Sequence, residues 1–124
     1  DKAQYLLVLD DVTQSLKDPI IQRTLQNLIL NRRHHRLSIM LLVQYWNSLP
    51  LPLRKSVSSV VLCNRPTNKS ESDNIMDEVM HLDRKKAEAV INFAFKKRYD
   101  KLFIQLQPLL FYRNMNRLSF DDAA

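Results

Sequence analysis

The sequence contains no glycine among its 124 residues. At the usual frequency of about 7%, a chain of this length carries about nine glycines. This absence excludes, within these residues, every loop that holds a phosphate group on a glycine turn: the Walker A loop, the dinucleotide fingerprint and the kinase-type loop. If the chain acts on a nucleotide, the phosphates are not bound by a glycine-rich loop of its own.

Cysteine and long apolar runs are scarce as well. The single cysteine, Cys63, excludes an internal disulfide framework and a cysteine-rich zinc site, and it fits a reducing compartment. We expect Cys63 to be a small, buried apolar residue. No apolar run approaches the roughly 18–20 residues that cross a bilayer, so no membrane span is predicted.

The overall amino-acid composition is typical of a globular domain. Hydrophobic residues make up 45% of the chain and charged residues 26%, which excludes a disordered tail. The length allows one domain at most, since compact domains have roughly 100–150 residues. The formal net charge of +6 is compatible with a polyanionic partner.

Three largely apolar segments are candidate strands, and the first of them is a continuous apolar run, which is typical of a strand covered on both faces, as in a parallel sheet. They lie at residues 5–9, 37–43 and 57–63. Between the first two, Asp18 and Pro19 predict the start of a helix. We expect this helix to end near the basic residues 32–36, because cations complement a helix C-terminus.

The second half of the chain carries two helix patterns and two strand patterns. Ser70 or Ser72 predicts a helix that runs through Met80, and Asp83 predicts the start of another. The apolar positions of the latter, spaced i, i+3, i+4 and i+7, are Ala87, Val90, Ile91 and Ala94. Two late strands are predicted at residues 102–106 and 109–112.

Strands that alternate with helices require crossover connections. We therefore predict an α/β fold with a mostly parallel sheet, flanking helices and late strands near the C-terminus. In such sheets ligands bind at the carboxyl ends of the strands. The residues at those ends are Asp10, Asp11, Gln44 and Asn64.

Residues 6–11 (LLVLDD), four apolar residues followed by two carboxylates, match the Walker B pattern. Mg²⁺ keeps several waters and accepts a single rigidly held carboxylate, which makes Asp10 a candidate magnesium ligand. Asp11 points to the other side and can polarise the water that attacks the γ-phosphate of a nucleotide. The alternative interpretation is that the two carboxylates cap the next turn.

Gln44 ends the next strand, so in a parallel register it lies beside Asp10 and Asp11. An amide at this position can bind the γ-phosphate and orient the attacking water. Alternatively, Gln44 is an ordinary polar residue at a strand end.

A basic cluster follows the first predicted helix at residues 31–36. It is either a solvated helix end or the source of an arginine that reaches the nucleotide of a neighbouring subunit. After two Pro-Leu pairs, a further arginine is a candidate for a nucleotide or interface contact. The arginines concerned are Arg32, Arg33 and Arg54.

The order of these motifs resembles a known family, the genome-packaging ATPases of large nucleocytoplasmic DNA viruses. These are poxvirus-type members of the FtsK–HerA branch of P-loop NTPases. The similarity is close over residues 5–66 and loose elsewhere. It lies in the ordered segments LLVLDD, NRRHHRLSIMLLVQ, SLPLPLR and VSSVVLCNRP.

The resemblance implies a partial P-loop (RecA-like) fold, ATP and Mg²⁺ as cofactors, and a homo-oligomeric ring that drives double-stranded DNA into a capsid. It assigns magnesium binding to Asp10, the catalytic carboxylate to Asp11 and the sensor amide to Gln44. The residues that would act in trans are Arg33 or Arg32, with Arg54 as the rival. Capsid or portal-vertex components would be further partners, in the virion and in the cytoplasmic virus factory.

The family binds ATP through a Walker A loop upstream of Walker B, and the sequence begins at Asp1 with none. We therefore expect residues 1–124 to be the C-terminal part of a single ATPase domain, from Walker B onward, that is inactive on its own. In this branch of the fold the strand at residues 57–63 would lack its inner neighbour and expose an apolar edge.

Two basic runs, at residues 84–86 and 96–98, are candidates for sequence-independent contact with DNA phosphates. Their candidate DNA-binding residues are Lys85, Lys86, Lys96, Lys97 and Arg98. The alternative is that both runs are solvated helix ends.

Two other functions are compatible with the sequence. The chain can be a non-catalytic basic α/β module that binds nucleic acid or packs in a virion. It can also belong to another P-loop ATPase, such as a helicase or a conjugation-type ATPase, because these enzymes use the same carboxylate and glutamine chemistry.

Overall fold

The protein has a mixed α/β structure, seen in a computed structural model that describes residues 3–119. It separates into two compact units, Asp1–Ser56 and Val57–Ala124, hereafter the first and the second unit. Each unit has its own sheet, with two strands in the first and four in the second. No helix within residues 3–119 has the length and apolar character that a bilayer crossing requires.

The first unit contains a parallel pair of strands and short helical segments. Its elements are β1 (Tyr5–Asp10), a 3-10 turn (Ser15–Lys17), α1 (Pro19–Leu30), β2 (Leu37–Leu42), a second 3-10 turn (Trp46–Ser48) and α2 (Leu51–Arg54). The register of the strands runs from Tyr5 opposite Leu37 to Asp10 opposite Leu42. Both strands therefore end at the same edge of the sheet.

Helix α1 begins and ends where the sequence predicts. The carboxylate of Asp18 accepts a hydrogen bond from the backbone N–H of Ile20 at 2.9 Å, and Pro19 occupies the first helical position. At the other end, Nη1 of Arg32 donates to the carbonyl of Ile29 at 2.8 Å. The basic cluster thus satisfies one of the carbonyl groups that a helix C-terminus leaves unpaired.

The buried side chains of the first unit come from its helices and turns, not from its sheet. They are Leu16, Leu25, Ile29, Trp46, Leu49 and Leu53. One face of the sheet is half-buried, and the other is apolar but open. The open-face residues Leu6, Val8, Met40 and Leu42 are 44–60% exposed. The expectation that these strands are covered on both faces is therefore wrong for this structure.

The second unit is an antiparallel sheet with two helices, in the strand order β3-β4-β5-β6. Its elements are β3 (Ser59–Leu62), α3 (Lys69–Ile75) with a π-helical turn (Met76–Met80), α4 (Arg84–Ala94), β4 (Leu102–Leu106), β5 (Leu109–Arg113) and β6 (Asn116–Arg117). The late strands are confirmed. The predicted mostly parallel sheet is not confirmed, because β3 pairs antiparallel with β4, with Ser59 opposite Gln105.

The wrong prediction of a mostly parallel sheet has a physical cause. A continuous apolar run indicates that a strand is covered, but it carries no information about the direction of the neighbouring strand. The expectation that Cys63 is buried is also wrong, since this residue follows the end of β3 and is exposed.

The core of the second unit contains the four apolar positions that the periodicity of α4 predicts: Ala87, Val90, Ile91 and Ala94. Asp83 caps this helix, as expected, by accepting from the N–H of Lys86 at 2.8 Å. Helix α3 is capped by Asn68, which accepts from the N–H of Glu71 at 3.3 Å, and not by Ser70 or Ser72. Helices α3 and α4 are joined by an ion pair of 2.6 Å between Asp73 and Arg84, which raises the pKa of the arginine.

The absence of glycine leaves left-handed backbone positions to residues that carry a Cβ atom. Within residues 3–119, five residues have φ between 52° and 69°: Asp11, Arg36, His81, Tyr99 and Asn114. All five lie in the connections between helices and strands. Each costs roughly 1 kcal/mol or more for a residue with a side chain, least for Asp and Asn. The surrounding packing therefore has to hold these five connections.

A buried carboxylate organises one of these connections. Asp100 accepts hydrogen bonds from Nδ2 of Asn114 at 3.1 Å, the backbone N–H of Lys97 at 2.8 Å and Nη2 of Arg113 at 3.1 Å. These donors, Asn114 foremost, lower the pKa of Asp100 from its ordinary 3.8 to about 2. Asp100 therefore ties the segment after α4 to the turn between β5 and β6.

This lowered pKa predicts an acid-sensitive contribution to stability. The unfolded chain binds a proton on Asp100 more tightly than the folded chain does, so stability falls as the pH drops from about 4 to about 2. Asp100→Asn should lower the free energy of unfolding at pH 7 and flatten its pH dependence in this window. Urea unfolding followed by circular dichroism measures both. The exposed Glu88→Gln is the matched control, and a pH curve for Asp100→Asn that runs parallel to the wild-type curve would contradict the prediction.

Candidate functional site

The candidate site lies where β1 and β2 end. The two strands are parallel neighbours, and Asp10, the last residue of β1, is paired with Leu42 of β2. Asp11 follows directly on the first strand, and Gln44 comes two residues after Leu42 on the second. The adjacency that the sequence predicts for these two strands is confirmed. It brings the two carboxylates and the amide to one edge of the sheet.

The backbone turns sharply at the second carboxylate. Asp11 has a φ of 55°, and its N–H donates to the carbonyl of Leu42 at 3.4 Å. This conformation interrupts the alternation of the strand, so the two carboxylates do not follow each other as strand residues would. Residues held in such strained conformations cluster at functional sites. Asp10, Asp11 and Gln44 are all exposed and hence accessible to a ligand.

The donor set at this edge consists of oxygen atoms. Two carboxylates and one amide carbonyl suit a hard cation such as Mg²⁺, which takes one or two protein carboxylates and keeps several waters. Within residues 3–119, His, Cys, Asp and Glu side chains nowhere form a group of three or more that could hold a metal.

Two of the predicted arginines are not brought to this edge. The backbone N–H of Tyr5, at the start of β1, donates to the carbonyl of Arg36 at 2.9 Å, which places residues 32–36 at the amino ends of the strands. With a rise of about 3.3 Å per residue, the six residues of β1 separate the two edges by about 16 Å. Arg32 is half-buried and caps α1, whereas Arg33 is exposed.

The third arginine lies on the segment that follows Gln44. Arg54 is half-buried at the last residue of α2. Sequence reasoning missed the residues that hold this segment in place, Trp46, Leu49 and Leu53, which are 6%, 4% and 0% exposed. Their large apolar side chains are the sequence signal that this segment is packed, because such side chains are usually buried.

The two basic runs of the second unit lie at opposite ends of one helix. Lys85 and Lys86 are in the first turn of α4, and residues 96–98 follow its end. At 1.5 Å per residue, the eleven residues of α4 separate the two runs by about 16 Å. They therefore do not form one continuous surface.

The comparisons with known proteins gave one finding. A family model described as Poxvirus A32 protein matches residues 1–123. No curated protein and no solved structure matches the chain. The family match includes Asp10, Asp11, Gln44 and all of the arginines and lysines described above.

Proposed function

Because this chain belongs to the poxvirus A32 protein family, the family of the poxvirus genome-packaging ATPase, we propose that it is part of an ATP-driven motor that moves double-stranded DNA into the viral capsid. The observation that carries the proposal is the pairing of β1 with β2. Their parallel register brings a pair of carboxylates and a glutamine to the edge where such sheets bind ligands.

Each of the three side chains has a role in this proposal. Asp10, at the rigid end of β1, binds Mg²⁺, which when present neutralises negative charge on the phosphate oxygens. Asp11 accepts a proton from the attacking water, and Gln44 orients that water and contacts the γ-phosphate. All three are exposed, so ATP can reach them without a rearrangement of the strands.

An arginine from a neighbouring copy completes the site in this proposal. Arg33 is exposed and lies before β2, at the amino ends of the strands, whereas the carboxylates lie at the carboxyl end of β1, and the two ends of β1 are about 16 Å apart. It is therefore better placed to serve the nucleotide of another subunit than its own, which implies a homo-oligomeric ring. Arg32 is the weaker candidate because its guanidinium caps α1, and Arg54 is the rival.

We also propose that residues 1–124 are the part of a single P-loop (RecA-like) ATPase domain that runs from Walker B onward. The support is the open, apolar face of the β1–β2 pair, since parallel strands are normally covered on both faces. In this proposal a Walker A loop outside these residues binds the phosphates of ATP. Residues 1–124 alone are then inactive.

The remaining partners follow from the same proposal. A packaging motor contacts capsid or portal-vertex components as well as DNA. It acts in the cytoplasmic virus factory and in the virion, and the exposed free thiol of Cys63 is compatible with that reducing compartment.

ATP hydrolysis by the full-length protein, measured with and without double-stranded DNA, tests the proposal. Gln44→Ala should lower kcat about 10²-fold with little change in ATP affinity, because a misplaced attacking water costs rate and not binding. Gln4→Ala, an exposed glutamine before β1, is the matched control and should have wild-type activity. Equal kcat values for the two variants would contradict the role of Gln44. A wild-type protein without ATPase activity would favour the non-catalytic binding module.

A further inference from the structure

Charges are unevenly distributed along the second unit. Residues 89–119 contain six lysines and arginines and one carboxylate, Asp100. The other carboxylates of the described part of this unit lie between residues 71 and 88. Since Asp100 is only 8% exposed and is already bonded to Arg113, it offers little negative charge to the solvent. Residues 89–119 therefore carry a large excess of positive charge.

The structure gathers these cations from segments that are distant in sequence. Asp100 bonds to Lys97 and Arg113, and Oδ1 of Asn114 accepts from the N–H of Lys101 at 2.9 Å. These contacts bring the connection after α4 next to the turn between β5 and β6. The two segments then present their charges together.

Aromatic rings hold several of the cations in place. Nζ of Lys96 lies 4.7 Å from the centroid of the Phe93 ring, and the guanidinium carbon of Arg113 lies 5.5 Å from the same centroid. The guanidinium of Arg98 lies 4.9 Å from the ring of Tyr99. Cation–π contacts of this kind restrain the side chains of these cations.

The other basic run has a different environment. Arg84 is paired with Asp73 at 2.6 Å, and the charges of Asp77 and Glu88 also act on it. Lys85 and Lys86 follow directly in the same turn of α4, after the cap Asp83. Acidic side chains thus offset the positive charge at the beginning of α4, but not beyond its end.

We propose that the surface beyond the end of α4, hereafter the basic surface, grips the phosphate backbone of double-stranded DNA, and that Lys85 and Lys86 do not. The proposal rests on the proposed packaging function and adds to it the surface that contacts DNA. Its residues are Lys96, Lys97, Arg98, Lys101 and Arg117, and Arg113 is paired with Asp100 beside them. A cluster of cations binds DNA independently of sequence, which a motor that moves along a genome requires.

The test compares two triple variants of the full-length protein that lose the same number of lysines in the same unit. Lys96→Gln/Lys97→Gln/Lys101→Gln removes charge from the basic surface, and Lys69→Gln/Lys85→Gln/Lys86→Gln removes it elsewhere. All six lysines are exposed, so both variants should fold. The affinity for a double-stranded DNA of arbitrary sequence is measured by fluorescence anisotropy over a range of salt concentrations.

We expect the first variant to bind DNA at least about 10-fold more weakly at 0.1 M salt, with a slope of log K against log salt that is shallower by about 2 to 3, because three phosphate contacts are lost. The second variant should keep the wild-type slope. Equal slopes in all three proteins, or equal losses in both variants, would overturn the proposal. So would a first variant that keeps its DNA affinity and loses affinity for polyglutamate, since the basic surface then serves an acidic protein.

These outcomes are separable from a failure of the proposed function. If the wild type binds DNA through the basic surface but does not hydrolyse ATP, the packaging proposal fails and the DNA surface stands. If the wild type hydrolyses ATP and both triple variants bind DNA equally well, the packaging proposal stands and the DNA surface lies elsewhere.

Discussion

Asp11→Asn in the full-length protein is expected to abolish ATP turnover while leaving nucleotide binding intact. In the proposed mechanism this carboxylate takes a proton from the attacking water, and an amide cannot accept that proton. Loss of such a group typically costs 10²–10⁴-fold in rate, about the detection limit of a steady-state assay. Asn tolerates the left-handed backbone at this position, φ 55°, as well as Asp does, so the turn after β1 should keep its shape.

The measurement pairs steady-state ATP hydrolysis with equilibrium binding of a non-hydrolysable ATP analogue. Asp18→Asn is the matched control, because it removes the same charge from the same unit and Asn caps a helix as well as Asp. The control should hydrolyse ATP at the wild-type rate. Unchanged turnover in Asp11→Asn would remove this residue from the mechanism.

Arg33→Ala should lower assembly-dependent ATP hydrolysis by about 10³-fold or more, the usual effect of removing an arginine finger. The side chain is exposed and lies at the edge of the sheet opposite Asp10 and Asp11, so its loss should leave the folding of the monomer unchanged. Turnover measured against protein concentration separates the activity of assembled protein from that of monomers. Arg23→Ala, an exposed arginine on α1, is the control.

A mixing experiment tests whether the arginine acts in trans. In a mixed assembly of Arg33→Ala and Asp11→Asn, an intact carboxylate site of the first variant can meet an intact arginine of the second. Mixing should therefore restore part of the turnover that neither variant shows alone. Absence of any restoration would argue against action in trans by Arg33. If mixing Arg54→Ala with Asp11→Asn restores turnover instead, the arginine that acts in trans is Arg54.

Local signals in the sequence predicted much of this structure correctly. Asp18 and Asp83 begin their helices because a carboxylate satisfies backbone N–H groups that a helix start leaves free. The apolar spacing of α4 predicted its buried face, and the order of motifs over residues 5–66 predicted the family that the match over residues 1–123 shows. Each of these features depends on residues that are close in sequence.

The parallel pairing of β1 with β2 was predicted, but other features that depend on distant residues were missed or wrong. The antiparallel pairing of β3 with β4 joins residues 59–62 to residues 102–105, and a strand does not encode the direction of its partner. The exposure of Cys63 follows from that pairing, which ends at Leu62. The proximity of Arg113 to Lys96 was not predicted either, because it arises only when both pack on the ring of Phe93.

The sequence by itself determined that no glycine turn holds a phosphate here, where two helices begin, and which family the chain belongs to, because composition, caps and ordered motifs are properties of contiguous residues. The sequence also predicted that the strands before Asp11 and Gln44 are parallel neighbours, and the register of β1 and β2 confirms this pairing. The tertiary structure alone decided that β3 pairs antiparallel with β4, that Arg33 lies at the edge opposite the carboxylates, and that one of the two lysine runs joins a larger basic surface. Hydrogen bonds between distant strands and turns set these positions, and such bonds form only when the chain has folded.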